Sequence, residues 1–210
     1  MKERVNINER YFEDEEVRTN SKPYDAYYDC LNSTFDLKNT NSFCDIGCAT
    51  GLLMKKINEN NKNINLLGVD YFQWHKDSSS ELIKENIIIH DLRDTLPITD
   101  KYDIVNCTET GEHIDKAFQD NFIENLKSIC GKYLIISWSD TGGENDRKND
   151  THHQHLNPLS SDSVDKLLTK HGFKKNSELT EKFIKESNKN SNFNFWWRKS
   201  LGVWEIKNNI

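Results

Sequence analysis

The chain of 210 residues is long enough for one domain with a sizeable core. Its 28 basic and 34 acidic residues give a net charge of -6 with no basic stripe, which argues against a nucleic-acid partner. The mean hydropathy is -0.83 and no long apolar segment or signal peptide is evident, so we expect no membrane span. Five cysteines without paired spacing indicate a soluble, reducing, cytoplasmic setting.

Apolar runs alternate with helical patterns along the chain, which is typical of βαβ units and a parallel sheet. The predicted strands span residues 42–46, 65–70, 87–90, 102–107 and 133–136. The predicted helices span residues 50–60, 78–85, 115–130 and 161–171. A capping-box sequence opens the second helix, and Gly131 and Gly172 are expected to end the last two. Two further strands, near Lys174 and at 201–206, would form an antiparallel edge hairpin separated by a polar helix. The pattern predicts an α/β fold with a seven-stranded, mostly parallel sheet and helices on both faces.

The junction of the first predicted strand and helix carries the strongest functional signal. Asp45 ends the strand, and Gly47 and Gly51 bracket a turn in which the backbone can approach a ligand closely. Asp70 ends the second strand about 20 residues further on, where a carboxylate can accept bonds from both hydroxyls of a ribose. A dinucleotide-binding loop would carry a third glycine where Ala49 stands, and Asp45 would repel a phosphate. A glycine turn without a ligand is the remaining alternative.

This strand, loop and helix resemble the S-adenosylmethionine-binding half of a class I methyltransferase. The resemblance implies a Rossmann-like fold, S-adenosylmethionine as cofactor and S-adenosylhomocysteine as product. It also implies that the segment around Asp91 and Leu92 brackets the adenine, with Arg93 and Trp74 along the cofactor side. The implied cofactor-binding residues are Asp45, Gly47, Cys48, Gly51, Asp70, Tyr71, Asp91, Leu92, Thr108 and Glu109.

The residues before the first predicted strand are expected to form a structural element of their own. Residues 1–41 are predicted to be a helical cap over the cofactor, and residues 42–210 the methyltransferase domain, so that the chain is one domain overall. The aromatic and apolar residues expected to build the cap are Tyr11, Phe12, Tyr24, Tyr27, Tyr28 and Leu31.

Two later segments resemble motifs of the same family. Residues 109–114 resemble a Glu-x-x-Glu-His-Ile segment, in which Glu109 and Glu112 are expected to shape the loop. Residues 138–157 are similar to a Trp-x-x-x-Gly-Gly…His-x-Asn pattern of methyltransferases that tailor glycans and small molecules. The Asn/Asp-Pro-Pro-Tyr/Phe turn of amide and adenine N-methyltransferases is replaced by residues 106–109, so oxygen is the favoured acceptor.

The candidate catalytic residues lie after the fourth and fifth strands, where ligands bind in such sheets. His113 or His155 is expected to remove the acceptor proton, with Asp140 orienting the imidazole or binding the neighbouring hydroxyl. Trp138, His113 and His155 are expected to contact the substrate. No metal is expected. The less favoured alternative is a divalent metal held in the long loop at 139–158, whose histidines and acids are Asp140, Glu144, Asp146, Asp150, His152, His153 and His155.

The leading hypothesis is O-methylation of a sugar, a glycan or a small hydroxylated metabolite. The alternatives are a methyltransferase for a protein or lipid-quinone acceptor, and a non-catalytic interaction subunit that retains the fold. Trp196, Trp197 and Trp204 would suit stacking on a sugar, but packing of the C-terminal elements is the favoured interpretation.

Overall fold

The computed structural model describes residues 20–141 and 155–207. The strands are β1 (Ser42–Ile46), β2 (Asn65–Asp70), β3 (Ile87–Ile89), β4 (Tyr102–Cys107), β5 (Cys130–Ile136), β6 (Phe173–Lys175) and β7 (Gly202–Ile206). The helices are α1 (Lys22–Phe35), α2 (Leu52–Asn60), α3 (Gln73–Asp77), α4 (Gln119–Ile129), α5 (Ser161–Lys170), α6 (Ser177–Ser187) and α7 (Phe195–Ser200). Outside the described residues lie the predictions for Tyr11, Phe12, Gly142, Gly143, Glu144, Asp146, Asp150, His152 and His153.

The strands form one seven-stranded sheet in the order β3-β2-β1-β4-β5-β7-β6. Strands β1 to β5 are parallel, whereas β7 runs antiparallel to both β5 and β6. The predicted α/β fold, with its antiparallel C-terminal hairpin, is therefore confirmed. Because β1 lies between β2 and β4, the loops that follow these three strands meet at one edge of the sheet.

Helices cover both faces of the sheet. Helices α1, α2 and α6 pack on one face around Phe43, Ile104 and Val203. Helices α4 and α5 pack on the other face around Val105 and Leu134. The alternation along each strand sends successive side chains to opposite faces, which explains why both cores are apolar. None of the described helices is long and apolar enough to cross a membrane.

The predicted helix at 78–85 is wrong. Helix α3 lies earlier, at Gln73–Asp77, and Ser78 is its C-terminal cap. The serines that suggested a capping box close this helix instead, since Ser79 Oγ donates to the Lys76 carbonyl at 2.7 Å. A 3₁₀ turn at Lys84–Asn86 then leads into β3. Hydrogen bonds from side chain to backbone thus compete with helix formation at this sequence.

Gly131 does not end helix α4 as predicted. The helix ends at Ile129, and β5 begins directly at Cys130. A Cβ atom at position 131 would lie 2.9 Å from the Tyr102 carbonyl oxygen, so the residue serves close approach of β4. Gly172 does end helix α5, with a left-handed φ of 89°.

The C-terminal tryptophans have separate environments. Trp204 is buried in the sheet core, and Trp197 lies with its ring centroid 5.3 Å from those of Tyr24 and Tyr27. Both contacts are packing, as the favoured interpretation of the sequence holds. Trp196 is 55% exposed on helix α7.

Candidate active site

The loop after β1 has the backbone geometry that its glycines allow. Gly47 and Gly51 have left-handed φ values of 74° and 73°, and a Cβ atom at Gly47 would overlap the Thr110 side chain. The amides of Gly47 and Cys48 donate to the Val69 carbonyl at 2.8 and 3.2 Å. Cys48 is itself buried, and burial raises the pKa of its thiol well above the usual range. The loop is thereby fixed to β2 before any ligand binds.

Asp70 anchors the same loop and is buried at the end of β2. Its Oδ2 accepts the Ala49 N–H at 2.8 Å, and its Oδ1 accepts the Phe72 N–H at 3.0 Å and lies 2.6 Å from His75 Nδ1. A carboxylate offers about four acceptor sites, so about one is left for a ligand, on Oδ2. The sequence predicts that Asp70 accepts hydrogen bonds from two ribose hydroxyls, whereas its existing contacts leave an acceptor site for about one. No sequence pattern indicated a role for His75, a buried histidine in a short polar helix.

Asp45 is the penultimate residue of β1 and lies beside Asn106 of β4, with which it is in register. Asn106 Nδ2 donates to Asp45 Oδ1 at 2.7 Å, and the Tyr27 hydroxyl donates to Asn106 Oδ1 at 2.6 Å. Burial raises the pKa of the Asp45 carboxyl to about 7, the Asn106 bond lowers it, and the charge of Asp70 raises it further. Helix α1 thus reaches the site through a hydrogen-bond relay that sequence patterns did not reveal.

Tyr24 of helix α1 also lies close to Asp45. Burial raises the pKa of the Tyr24 phenol to about 12, and the charge of Asp45 adds to this effect. The side of helix α1 that carries Tyr24 and Tyr27 therefore faces the end of β1.

Asp91 follows β3 and forms a buried ion pair with Arg93. Arg93 Nε lies 2.9 Å from Asp91 Oδ1, and its Nη1 lies 3.3 Å from Asp115 Oδ2 before helix α4. The guanidinium lies 5.8 Å from the centre of the Tyr71 ring, which is partly exposed, while Leu92 is buried. Arg93 thus holds two carboxylates in place beside the predicted adenine site, in addition to its predicted position along the cofactor.

The turn after β4 contacts both the end of β1 and the residue that follows β5. Thr108 precedes Glu109, which has a φ of 49°. The Glu109 amide bonds Ser137 Oγ at 3.1 Å, and the Ser137 hydroxyl donates to the Glu109 carboxylate at 2.8 Å. Thr110 Oγ1 donates to the Ile46 carbonyl at 3.2 Å, so the turn is fixed against the glycine loop.

A 3₁₀ turn at Gly111–His113 brings Glu112 and His113 together with His155. One ligand atom from each of the three side chains lies within 4.8 Å of the others, and the two imidazole centres are 5.1 Å apart. Glu112 is 0% exposed, and neither carboxylate oxygen has a hydrogen bond of good geometry among the described residues, although the Glu109 carboxyl and the Ser139 amide lie close to it. Burial raises the pKa of the Glu112 carboxyl well above the usual range, and the neighbouring Glu109 raises it further. We call these three residues the Glu112 cluster.

The Glu112 cluster is braced by residues around Trp138. The Asn157 amide donates to the Glu112 carbonyl at 2.9 Å, and Trp138 Nε1 donates to the Asn157 carbonyl at 2.7 Å. A Cβ atom at Gly111 would overlap the Trp138 ring. Trp138 is 0% exposed and its indole supports the turn from the core, although the residue also borders the neighbouring cleft, so its contact with the substrate stays a prediction.

A shallow, open cleft lies beside the turn that carries Glu109, with Trp138, Asp140, Trp196 and Lys199 among its other lining residues. Asp140 Oδ1 pairs with Lys199 Nζ at 2.7 Å on the cleft rim. His155 Nδ1 instead lies 2.6 Å from the Thr141 carbonyl. The described contacts thus bring His113 and His155 together and pair Asp140 with Lys199 rather than with an imidazole, while its predicted contact with the acceptor's neighbouring hydroxyl stays a prediction.

Solved structures with this fold span nearly the whole chain. The plantazolicin methyltransferase BpumL, in complex with a triazolic desmethylPZN analog and SAH, has a TM-score of 0.65 at 15% identity, covering 95% of this chain and 90% of that chain. The magnesium protoporphyrin IX methyltransferase ChlM from Synechocystis PCC 6803, with bound SAH, has a TM-score of 0.58 at 18% identity, covering 84% and 81%. The [4+2]-cyclase SpnF has a TM-score of 0.58 at 14% identity, covering 87% and 79%. Identities this low show a shared fold.

Comparison at the level of sequence gives the family. No curated protein matches the chain. A family model described as a methyltransferase domain matches residues 18–178, which include helix α1, the glycine loop, the Glu112 cluster and helix α5. The chain therefore belongs to the methyltransferase domain family.

Proposed function

We propose that this protein is an S-adenosylmethionine-dependent O-methyltransferase that acts on a small hydroxylated acceptor such as a sugar. The cofactor would bind between the ends of β1 and β2, and the acceptor would bind at the cleft beside the turn that carries Glu109. The two sites are joined by the turn after β4, because Thr110 packs on Gly47 at one end and Glu112 follows at the other.

The observation that carries the cofactor assignment is the buried Asp45 carboxyl. Its pKa of about 7 reflects a negative charge held in the protein interior beside a second carboxylate, Asp70. A cationic ligand relieves that cost, whereas a phosphate increases it. S-adenosylmethionine carries an ammonium and a sulfonium group, so it fits this site better than a dinucleotide does.

The other cofactor contacts follow from the same loops. Asp70 would accept one ribose hydroxyl on Oδ2, the oxygen with an acceptor site left. Gly47 and Gly51 give the backbone close approach, and Leu92 would pack against the adenine beside Asp91. The cofactor, when bound, supplies a methyl group already activated for transfer to a nucleophile.

The chain's own contribution at the acceptor side is orientation and proton removal. A hydroxyl acceptor must lose its proton as the methyl group is transferred, and histidine is suited to this near neutral pH. In the cluster, the contact of His155 Nδ1 with the Thr141 carbonyl favours the tautomer whose Nε2 is the basic nitrogen. This arrangement supports an oxygen acceptor.

The structural relatives do not define the acceptor. Two of those described above are methyltransferases for plantazolicin and for magnesium protoporphyrin IX, and the third is a [4+2]-cyclase. One fold therefore serves several reactions, and the acceptor must be identified from the site itself.

The test is a transfer assay with methyl-labelled S-adenosylmethionine and a panel of sugars, nucleotide sugars and phenols. We expect label in an ether product of at least one hydroxylated acceptor. His155→Ala should abolish or strongly slow turnover while SAH affinity is kept, and the matched control His171→Gln should leave turnover unchanged. If the protein binds SAH but transfers label only to proteins or quinones, the acceptor class is wrong. If it transfers none, the fold serves another role.

A further inference from the structure

The Glu112 carboxylate is the least explained group in the molecule. Glu112 is 0% exposed, and neither of its oxygens has a hydrogen bond of good geometry among the described residues. An isolated buried carboxylate is unfavourable unless a cation or a hydrogen-bond donor compensates it. Packing alone does not account for it, since a glutamine or leucine would fill the same space without that cost. Among the described residues, the groups nearest this carboxyl are the Glu109 carboxyl and the Ser139 amide, and neither supplies a positive charge, so the group is suited to a cationic ligand.

Two histidines complete the surroundings of this carboxylate. One ligand atom each from Glu112, His113 and His155 lies within a 4.8 Å group, which is the spacing of donors around a single ion. Two imidazoles and one carboxylate form a donor set that suits Zn²⁺, Mn²⁺, Fe²⁺ or Co²⁺, whereas Mg²⁺ and Ca²⁺ prefer oxygen donors alone. Three protein ligands leave at least one coordination position open.

The supporting contacts resemble those of a preformed metal site. His155 Nδ1 lies 2.6 Å from the Thr141 carbonyl, a bond that orients the ring and directs Nε2 toward a ligand. Asn157 fixes the Glu112 backbone at 2.9 Å, and the Trp138 indole packs beneath Gly111. The donors are thus held by rigid elements before any ion binds.

We infer that Glu112, His113 and His155 bind one divalent transition-metal cation, and that this cation receives the hydroxyl oxygen of the acceptor. The sequence alone favours a metal-free histidine base, and the buried, unpaired Glu112 is what changes that interpretation. The role of the cation in transfer rests on the proposed function, whereas its binding does not.

The cation would make the acceptor hydroxyl more acidic, so that a histidine base would not be needed. A hydroxyl bound to a divalent cation has a lowered pKa. Its O–H bond breaks as the new O–C bond forms, the proton passes to the Glu109 carboxylate on the cleft wall, and the electron pair of the broken S–C bond stays on the sulfur of the cofactor.

The test uses the full chain, stripped of metal by chelation and then titrated with Co²⁺. Visible absorption and calorimetry should show uptake of one Co²⁺ per chain. Glu112→Gln and His155→Ala should each weaken uptake by more than about a hundredfold, because losing a ligand costs more than losing one of its supporting bonds. The control His171→Gln should leave uptake unchanged. Its imidazole already bonds Glu124 at 2.7 Å and Asp120 at 3.0 Å, away from the cluster.

A folding defect would be separable from the loss of a ligand. Gln is nearly isosteric with Glu and cannot carry a charge, so metal-free Glu112→Gln should melt at or above the wild-type temperature. Co²⁺ should then raise the melting temperature of the wild type and not that of the variant.

SAH affinity, measured on the same samples, distinguishes the two proposals. If SAH binds but Co²⁺ uptake is absent, or is equal in Glu112→Gln and His171→Gln, the cation site is wrong and the proposed function stands. If Co²⁺ binds as expected and SAH does not, the proposed function fails and the cation site stands. Loss of activity after chelation, with recovery on Co²⁺ or Mn²⁺ but not Mg²⁺, is the expected catalytic result.

Discussion

The two halves of the candidate site differ in how their buried carboxylates are compensated. At the edge formed by β1, β2 and β3, Asp70 accepts three hydrogen bonds and Arg93 holds both Asp91 and Asp115. At the end of β4, Glu112 is buried with no such partner among the described residues. At the first edge, the carboxylates other than Asp45 are already compensated by partners within the protein. At the second edge, the Glu112 carboxylate stays uncompensated until a ligand binds. Removing a charged side chain should therefore lower stability at the first edge and leave stability unchanged at the second.

The largest expected effect is on stability at the first edge. Arg93→Met would leave the buried Asp115 and the half-buried Asp91 without their shared cation, and breaking a buried ion pair costs about 3 kcal/mol or more. Chemical denaturation should show this loss in the free energy of unfolding. Glu112→Gln, measured beside it, should show none. Equal destabilisation by both variants would remove the distinction between the edges.

Asp70→Ala should lower both stability and cofactor affinity. The change removes the hydrogen-bond acceptor of the Ala49 and Phe72 amides and the partner of His75 Nδ1, which should cost about 2 kcal/mol of stability. It also removes the proposed acceptor of the ribose hydroxyl. We expect SAH affinity to fall at least about tenfold by calorimetry. Asp77→Ala, an exposed neighbour at the end of helix α3, is the control and should change neither quantity. An unchanged SAH affinity in Asp70→Ala would place the ribose elsewhere.

Asp45 should make cofactor affinity and stability depend on pH with opposite signs. Its pKa rises from 3.8 to about 7 on folding, so the folded chain binds the proton more tightly between these values. The stability contributed by the protonated form is therefore fully present below pH 4 and is lost as the pH rises through about 7. SAH affinity should instead rise through the same range, because the ionised carboxylate attracts the ammonium group.

The variant Asp45→Asn separates the Asp45 effect from other titrations. It should flatten both profiles below pH 7, and its SAH affinity at pH 8 should be about tenfold lower than that of the wild type. Thermal melts and calorimetry from pH 5 to 8 measure the two slopes. A wild-type SAH affinity that is constant over this range would contradict the proposed contact with Asp45.

The first edge was largely predictable because its signals are local. Gly47 and Gly51 lie within one turn, and Asp45 and Asp70 end apolar strands whose pairing follows from the βαβ pattern. His75 and the Tyr27–Asn106 relay were not predictable. Each depends on a contact between elements that gives no periodicity in the sequence.

The second edge was only partly predictable for the same reason. His113 and His155 were identified as single candidates, but their meeting with Glu112 depends on how the chain returns after β5. Burial of Glu112 without a partner cannot be inferred from spacing, since glutamate after a strand is usually solvated. Trp138 was assigned to the pocket because it follows β5, yet packing against Phe122 and Gly111 places its indole in the core.

The most direct test of the account is calorimetric titration of SAH into three proteins: the wild type, Asp70→Ala and the double variant His113→Ala/His155→Ala. We expect one SAH per chain for the wild type, similar affinity for the double variant and at least about a tenfold loss of affinity for Asp70→Ala. Failure of the wild type to bind SAH, or an equal loss in the double variant and Asp70→Ala, would contradict the assignment of the β1–β2 edge to the cofactor and the Glu112 cluster to the acceptor.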